Sequence, residues 1–98
     1  MEMICRVVVR GQVQGVGFRA WLEITALELG IEGWVRNRRD GSVEAVLAGS
    51  EEAVSTMVAS CHDGPRGAKV SAVNQHDAGE RDLALRRSGE LFSVLASF

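Results

Sequence analysis

The chain has 98 residues, of which 46% are hydrophobic and 24% are charged. This length suits one domain, and this composition is typical of a folded protein rather than a disordered or collagen-like one. The formal net charge of −2 argues against broad contact with a nucleic-acid backbone. No apolar run approaches the roughly 20 residues that cross a bilayer, and no basic leader precedes an apolar segment, so we expect a cytoplasmic protein that does not bind membranes. We also expect one monomeric domain over residues 1–98 that does not bind nucleic acids.

Positive charge is concentrated in the N-terminal part of this acidic chain. Residues 1–39 contain six arginines and four glutamates. A local anion site is therefore compatible with the overall negative charge.

The first 30 residues predict a strand, a glycine-rich loop and a helix. Residues 3–9 alternate in the pattern of a half-buried strand, with Arg6 and Arg10 on the face opposite the apolar residues Met3, Cys5, Val7 and Val9. Residues 11–17 contain three glycines, which permit positive φ. Helical spacing of apolar residues predicts a helix over 18–29, which ends at Gly30.

The middle of the chain predicts a hairpin and a second helix. Residues 31–37 and 42–48 read as strands joined by the turn signal Asp40-Gly41. Ser50 is a candidate N-cap for a helix that Gly64-Pro65 ends, with Val54, Met57, Val58 and Cys61 as its apolar stripe. Residues 68–73 predict a fourth strand and residues 91–95 a closing strand, with which residues 81–86 are expected to pair.

The order of these elements is β-α-β-β-α-β with one more strand near the C-terminus. Two helices of about 12 residues can cover one face of such a sheet. The sequence therefore predicts an α/β (α+β) sandwich of the ferredoxin-like type, with both helices on one face of a mostly antiparallel sheet of four to five strands.

The glycine-rich segment and the helix after it predict an anion site. Gly15 and Gly17 allow successive backbone N–H groups to converge, and the start of the helix adds its unpaired first-turn donors. Arg19 follows at once and can bind two phosphate oxygens, while the first acidic side chain of the helix is Glu23. The spacing matches neither a dinucleotide-binding motif nor a P-loop. The alternative is an ordinary turn beside a solvated arginine.

Two ordered blocks in this region resemble the acylphosphatase family. Gly-Gln-Val-Gln-Gly-Val-Gly-Phe-Arg at 11–19 is similar to that family's signature, and Gly-Trp-Val-Arg-Asn at 33–37, followed by Asp-Gly-Ser-Val-Glu at 40–44, is similar to its second block. Leu29-Gly30-Ile31, Gly64-Pro65 and Phe92-x-Val94 extend the similarity along the chain. Residues 74–90 and Ser60-Cys61 depart from the family pattern.

The resemblance implies a small hydrolase that cleaves acyl phosphates into carboxylate and phosphate without a metal or organic cofactor. Arg19 maps onto the motif arginine, which binds the phosphate together with backbone amides of the loop, here Gln14, Gly15, Val16, Gly17 and Phe18. Asn37 maps onto the motif asparagine, which positions the attacking water. The implied partners are a small acyl phosphate and inorganic phosphate, the latter as product and competitive inhibitor.

Two other functions remain open at this point. One is a module that binds acyl or carbamoyl phosphate without turnover, as in the N-terminal domain of hydrogenase maturation factors, which resembles the family. The other is an RNA-binding module of the same topology. Such modules stack bases on aromatic residues of their central strands, and residues 3–9 and 42–48 contain none.

The remaining candidate residues have simpler interpretations. His62 and His76 lack spaced partners for a metal, and Cys5 and Cys61 read as buried apolar residues rather than redox groups. Trp21 and Trp34 are expected to pack in the core and at its rim. Arg36, Arg38 and Arg39 flank Asn37, where they either attract anionic substrate or form a solvated turn.

Overall fold

The computed structural model describes residues 2–98. In this part of the chain the elements are β1 (Glu2–Gln12), α1 (Phe18–Glu28), β2 (Glu32–Asn37), β3 (Val43–Ser50), α2 (Glu51–Cys61), β4 (Lys69–Asp77), α3 (Glu80–Leu83) and β5 (Phe92–Val94). The strands form one sheet in the order β4-β1-β3-β2-β5. β2 and β5 pair in parallel, and the other neighbours pair antiparallel. The ferredoxin-like fold predicted from the sequence is confirmed.

The main hydrophobic core lies between the sheet and the two long helices. The apolar alternation of β1 and β3 directs one row of side chains from each strand at the helices, as the sequence predicts. Buried residues of this core include Val7 and Val9 of β1, Val43, Ala45 and Leu47 of β3, Phe18, Leu22 and Ala26 of α1, and Val54, Met57 and Cys61 of α2. Ser50 caps α2 as predicted, because its side chain accepts a hydrogen bond from Ala53 N at 3.1 Å.

A smaller apolar cluster lies on the opposite face of the sheet, and the segment after β4 covers it. Trp34, Val46, Ala48 and Leu83 are buried there. The indole Nε1 of Trp34 donates to the backbone oxygen of Asp82 at 2.7 Å. The predicted pairing of residues 81–86 with the last strand is wrong, because Glu80–Leu83 forms a short helix that places Leu83 against Trp34. β5 instead pairs with β2.

β4 is longer than its sequence pattern indicates. It continues from Lys69 to Asp77, although residues 74–77 are polar and exposed. Because β4 pairs with β1 at the edge of the sheet, backbone pairing extends it without any need for apolar side chains.

The strand order brings the ends of β1 and β2 to the same rim of the sheet. Both strands pair antiparallel with β3, so they run parallel to each other on its two sides. Val43 is the partner of Val9 on one side and of Asn37 on the other. The Cα atoms of Val9 and Asn37 are therefore separated by two strand spacings, about 10 Å. The loop that follows β1 starts beside the end of β2.

In the described part of the chain, no helix combines the length and the apolar character that spanning a membrane requires.

Candidate active site

The loop between β1 and α1, residues 13–17, has the backbone conformation that its glycines allow. Gly15 and Gly17 have φ of 75° and 78°, the left-handed region that residues with a side chain rarely adopt. Gly17 is also the N-cap of α1 and brings no side chain to the helix start. The first turn of the helix contains no acidic residue.

Backbone donors are available where this loop meets the helix. Trp21 N donates to Gly17 O at 3.0 Å, which is the first hydrogen bond of the helical pattern. The N–H groups of Phe18, Arg19 and Ala20 precede that bond and have no acceptor one turn earlier in the helix. They point outward at the positive end of the helix dipole, where an anion is stabilised.

A pocket of about 290 Å³ opens at this helix start. It brings together five of the residues that the sequence singles out, and its walls are Val13, Gly15, Gly17, Phe18, Arg19, Ala20, Glu23, Asn37 and Val94. Arg19 and Asn37, which are 18 positions apart in the sequence, thus border the same cavity. Two further loop residues named from the sequence, Gln14 and Val16, are outside this lining.

The two polar side chains of interest are not engaged elsewhere in the protein. Arg19 and Asn37 are both half-buried. Within residues 2–98, neither side chain has a hydrogen-bonding partner, and Arg19 has no ion pair. A guanidinium and an amide are therefore available to a ligand in the pocket.

Strand alternation places Asn37 on the pocket side of β2. Val35, two residues earlier, belongs to the core beneath the helices, whereas Trp34 belongs to the cluster on the opposite face. The backbone of Asn37 is fixed by pairing with Val43 and by Phe98 N, which donates to Asn37 O at 2.9 Å.

Arg36 is directed away from the pocket. Its Nε donates to the buried carboxylate of Glu44 at 2.8 Å, and its guanidinium lies 4.7 Å from the Trp34 ring centroid and 4.1 Å from that of Phe98. Arg36 therefore packs on the opposite face of the sheet and is not part of the pocket lining. Arg38 contacts Asp40 at 3.8 Å, and Arg39 is exposed in the turn.

The turn between β2 and β3 is ordered by Asp40. Its Oδ1 accepts from Ser42 N at 3.0 Å and from the Ser42 hydroxyl, and these bonds lower the pKa of the Asp40 carboxyl to about 2. Arg10 at the end of β1 contacts the other carboxylate oxygen at 3.3 Å.

Gln14 connects the loop between β1 and α1 to the turn between β2 and β3. Its side-chain Nε2 donates to Arg38 O at 2.7 Å and to Ser42 O at 2.9 Å. The loop that contains Gly15 is thus joined to the turn that follows Asn37.

Several residues of the pocket were not predicted from the sequence. Glu23 lies one helical turn after Arg19, so the i, i+4 spacing alone could have placed it on the same side of α1. Val94 could not have been found this way, since it enters the pocket only through the parallel pairing of β5 with β2. In the described residues, no cluster of three or more His, Cys, Asp or Glu side chains could hold a metal ion.

Comparisons with known proteins agree on one family. The acylphosphatase family model matches residues 5–86. An acylphosphatase of Rhodopseudomonas palustris is 57% identical over 96 residues, covering 98% of this chain and 97% of the relative, and one of Bradyrhizobium diazoefficiens is 56% identical over 92 residues, covering 94% and 93%.

Solved structures agree as well. The chain superposes on an acylphosphatase structure from Coxiella burnetii with a TM-score of 0.83 at 33% identity, over 96% of this chain and 93% of the other. A likeness to full-length HypF, at 17% identity and a TM-score of 0.84 over 12% of that protein, shows the fold alone. The resemblance predicted from the two sequence blocks is confirmed, and the chain belongs to the acylphosphatase family.

Proposed function

We propose that the pocket hydrolyses small acyl phosphates to a carboxylate and inorganic phosphate, with Arg19 and the loop amides on the phosphate and Asn37 on the attacking water. One observation carries this proposal. A single cavity is bordered by an unpaired arginine, a glycine loop at a helix start, and an unpaired amide side chain.

The phosphoryl group is assigned to the start of α1. Outward N–H groups, the helix dipole and the Arg19 guanidinium all favour negative charge at this point. Arg19 can donate two parallel hydrogen bonds to two phosphate oxygens, which fixes orientation as well as charge. The helix holds the N–H groups in place before substrate binds, so they can stabilise charge that develops on the phosphoryl oxygens in the transition state.

The water is assigned to Asn37. An acyl phosphate has a stable carboxylate as its leaving group, so the reaction depends on placement and charge stabilisation more than on a strong base. The Asn37 amide can accept from and donate to a water without titrating near neutral pH. The water oxygen bonds to phosphorus, the bond from phosphorus to the acyl oxygen breaks, and the carboxylate leaves with the electron pair. The proton of the water passes to a phosphate oxygen.

The walls and the volume of the pocket suit a small acyl group with apolar parts. Val13, Phe18 and Val94 are apolar, and the cavity of about 290 Å³ suits a small substrate. Inorganic phosphate has the charge and the oxygens of the phosphoryl group but lacks the acyl part. We expect it to occupy the same site as product and competitive inhibitor.

Turnover of benzoyl phosphate with EDTA present tests the proposal against p-nitrophenyl phosphate under the same conditions. We expect the anhydride to be cleaved and the ester to be left intact, because the ester has a poorer leaving group and the site offers no strong base. Comparable cleavage of both would contradict an anhydride-specific mechanism. Phosphate binding without any turnover of benzoyl phosphate would instead support the acyl-phosphate-binding module.

A further inference from the structure

The side chain of Gln14 connects the two parts of the proposed active site. Gln14 directly precedes Gly15, which lines the pocket, while one of its acceptors belongs to Arg38, which directly follows Asn37. The two hydrogen bonds, at 2.7 Å and 2.9 Å, use both hydrogens of one amide group. Such a pair fixes both distance and orientation between the segments that it joins.

The turn that accepts these bonds also has backbone hydrogen bonds of its own. Arg38 O accepts from Gly41 N at 3.1 Å, and Ser42 O accepts from Arg38 N at 2.9 Å. Gln14 thus adds a second donor to each carbonyl and satisfies no group that would otherwise be unpaired. Because the residue is exposed, its truncation also leaves no cavity in the core.

An ion pair between β1 and the same turn is a weaker connection. Arg10 contacts Asp40 at 3.3 Å, but both side chains are more than two-fifths exposed. Exposed ion pairs hold two flexible side chains in water and contribute little to a fixed geometry. Gln14, by contrast, makes a direct hydrogen bond from the loop to the backbone of Arg38, beside Asn37.

We propose that Gln14 is a positioning residue that holds the phosphate-binding loop at a fixed distance from Asn37. This inference rests on the proposed function, which assigns the phosphate to the loop and the water to Asn37. Without the connection the loop still binds phosphate, but the water on Asn37 is no longer aligned with phosphorus. Misplacement of a reacting group by about 1 Å costs on the order of 100-fold in rate.

The test compares Gln14→Leu with the matched control Gln12→Leu. Gln12 is an exposed glutamine two positions earlier, and within residues 2–98 its side chain makes no hydrogen bond. For Gln14→Leu we expect kcat on benzoyl phosphate to fall on the order of 10- to 100-fold, while the inhibition constant for inorganic phosphate changes less than about 3-fold. Gln12→Leu should match the wild type in both. Equal kcat in the two variants, or a loss of phosphate affinity as large as the loss of kcat, would overturn the inference.

A double-mutant cycle shows whether Gln14 acts through Asn37. In an Asn37→Ala background the further change Gln14→Leu should leave kcat almost unaltered, because the group that Gln14 positions is already absent. If the two losses multiply, Gln14 does not act through Asn37 and its positioning role is refuted, while the proposed function stands. If Asn37→Ala alone turns over normally, the proposed function and the coupling both fail.

Hydrogen exchange provides a measurement that does not depend on activity. The amides of Arg38 and Gly41 donate to the two carbonyls that Gln14 also contacts. Both amides should exchange faster in Gln14→Leu than in Gln12→Leu, with little change elsewhere in the sheet. Unchanged exchange at both amides would show that Gln14 does not hold the turn and would overturn the inference.

Discussion

Arg19 is the charged side chain on which the proposed phosphate site depends. Arg19→Ala is expected to reduce kcat/KM by 10²- to 10³-fold, the usual scale for removing one preorganised donor to a transition-state anion. Competitive inhibition by inorganic phosphate should weaken in parallel. Arg81→Ala, which removes an exposed arginine of α3, is the matched control for the change in net charge. Wild-type phosphate inhibition in Arg19→Ala would contradict the assignment.

Asn37 is expected to affect a different kinetic quantity. Asn37→Ala should lower kcat while leaving the inhibition constant for phosphate and the unfolding midpoint close to those of the wild type, because the amide acts on water rather than on the anion. Steady-state kinetics and urea unfolding measure the three quantities. Asn74→Ala, at an exposed position of β4, controls for loss of an amide side chain. Normal turnover in Asn37→Ala would refute its proposed role.

At the level of single residues, the sequence shows the types and the spacing of the candidate residues but not the face of the sheet on which each side chain lies. Arg36 and Asn37 are neighbours near a run of arginines, and nothing in that run shows that Arg36 pairs with Glu44 on the far side of the sheet. Because side chains alternate along a strand, Arg36 and Asn37 lie on opposite faces of β2. The pairing of β2 with β3 decides which of the two side chains lies on the pocket side.

The loop between β1 and α1 depends on the conformation of Gly15. Its φ of 75° is strongly disfavoured for a β-branched residue, although space for a Cβ is open. Gly15→Val should therefore distort the loop and weaken phosphate inhibition. Gly79→Val is the control, because Gly79 has a φ of −130° and equally open surroundings. A folded Gly15→Val protein that still bound phosphate normally would show that the loop tolerates the change.

The turn between β2 and β3 predicts a dependence of stability on pH. The pKa of Asp40 falls from 3.8 to about 2 on folding, mainly through the bonds from Ser42. A lowered pKa means that the folded state favours the carboxylate, so this stabilisation is complete above the unfolded pKa and disappears as the pH falls from about 4 to about 2. Asp40→Ala should lower the urea midpoint more at pH 7 than at pH 3. An equal effect at both pH values would contradict the ionic contribution.

At the level of elements, prediction succeeded where local pattern and tertiary packing agree. The apolar stripes of α1 and α2 and the alternation of β1 and β3 point to the core in which they are buried. It failed for residues 81–86, where the chain forms the short helix α3 and Leu83 packs on Trp34, a residue 49 positions earlier.

For the whole molecule, the two thiols report on global unfolding. Cys5 and Cys61 are 1% and 0% exposed. Burial raises the pKa of Cys61 to about 12, and burial together with the charge of Asp77 raises the pKa of Cys5. Because the thiolate is the reactive form, neither cysteine should react with Ellman's reagent in the folded protein, and both should react in urea. Rapid labelling under native conditions would contradict a closed core.

The sequence by itself determined the family and the order of the main elements, and it singled out Arg19 and Asn37 as candidate site residues, because motifs and periodicities act over a few residues. The tertiary structure decided which residues share the pocket. Val94 and the hydrogen bonds of Gln14 reach the site through parallel strand pairing and a turn more than 20 positions away. Such contacts depend on how whole elements pack, and no local pattern in the chain encodes that packing.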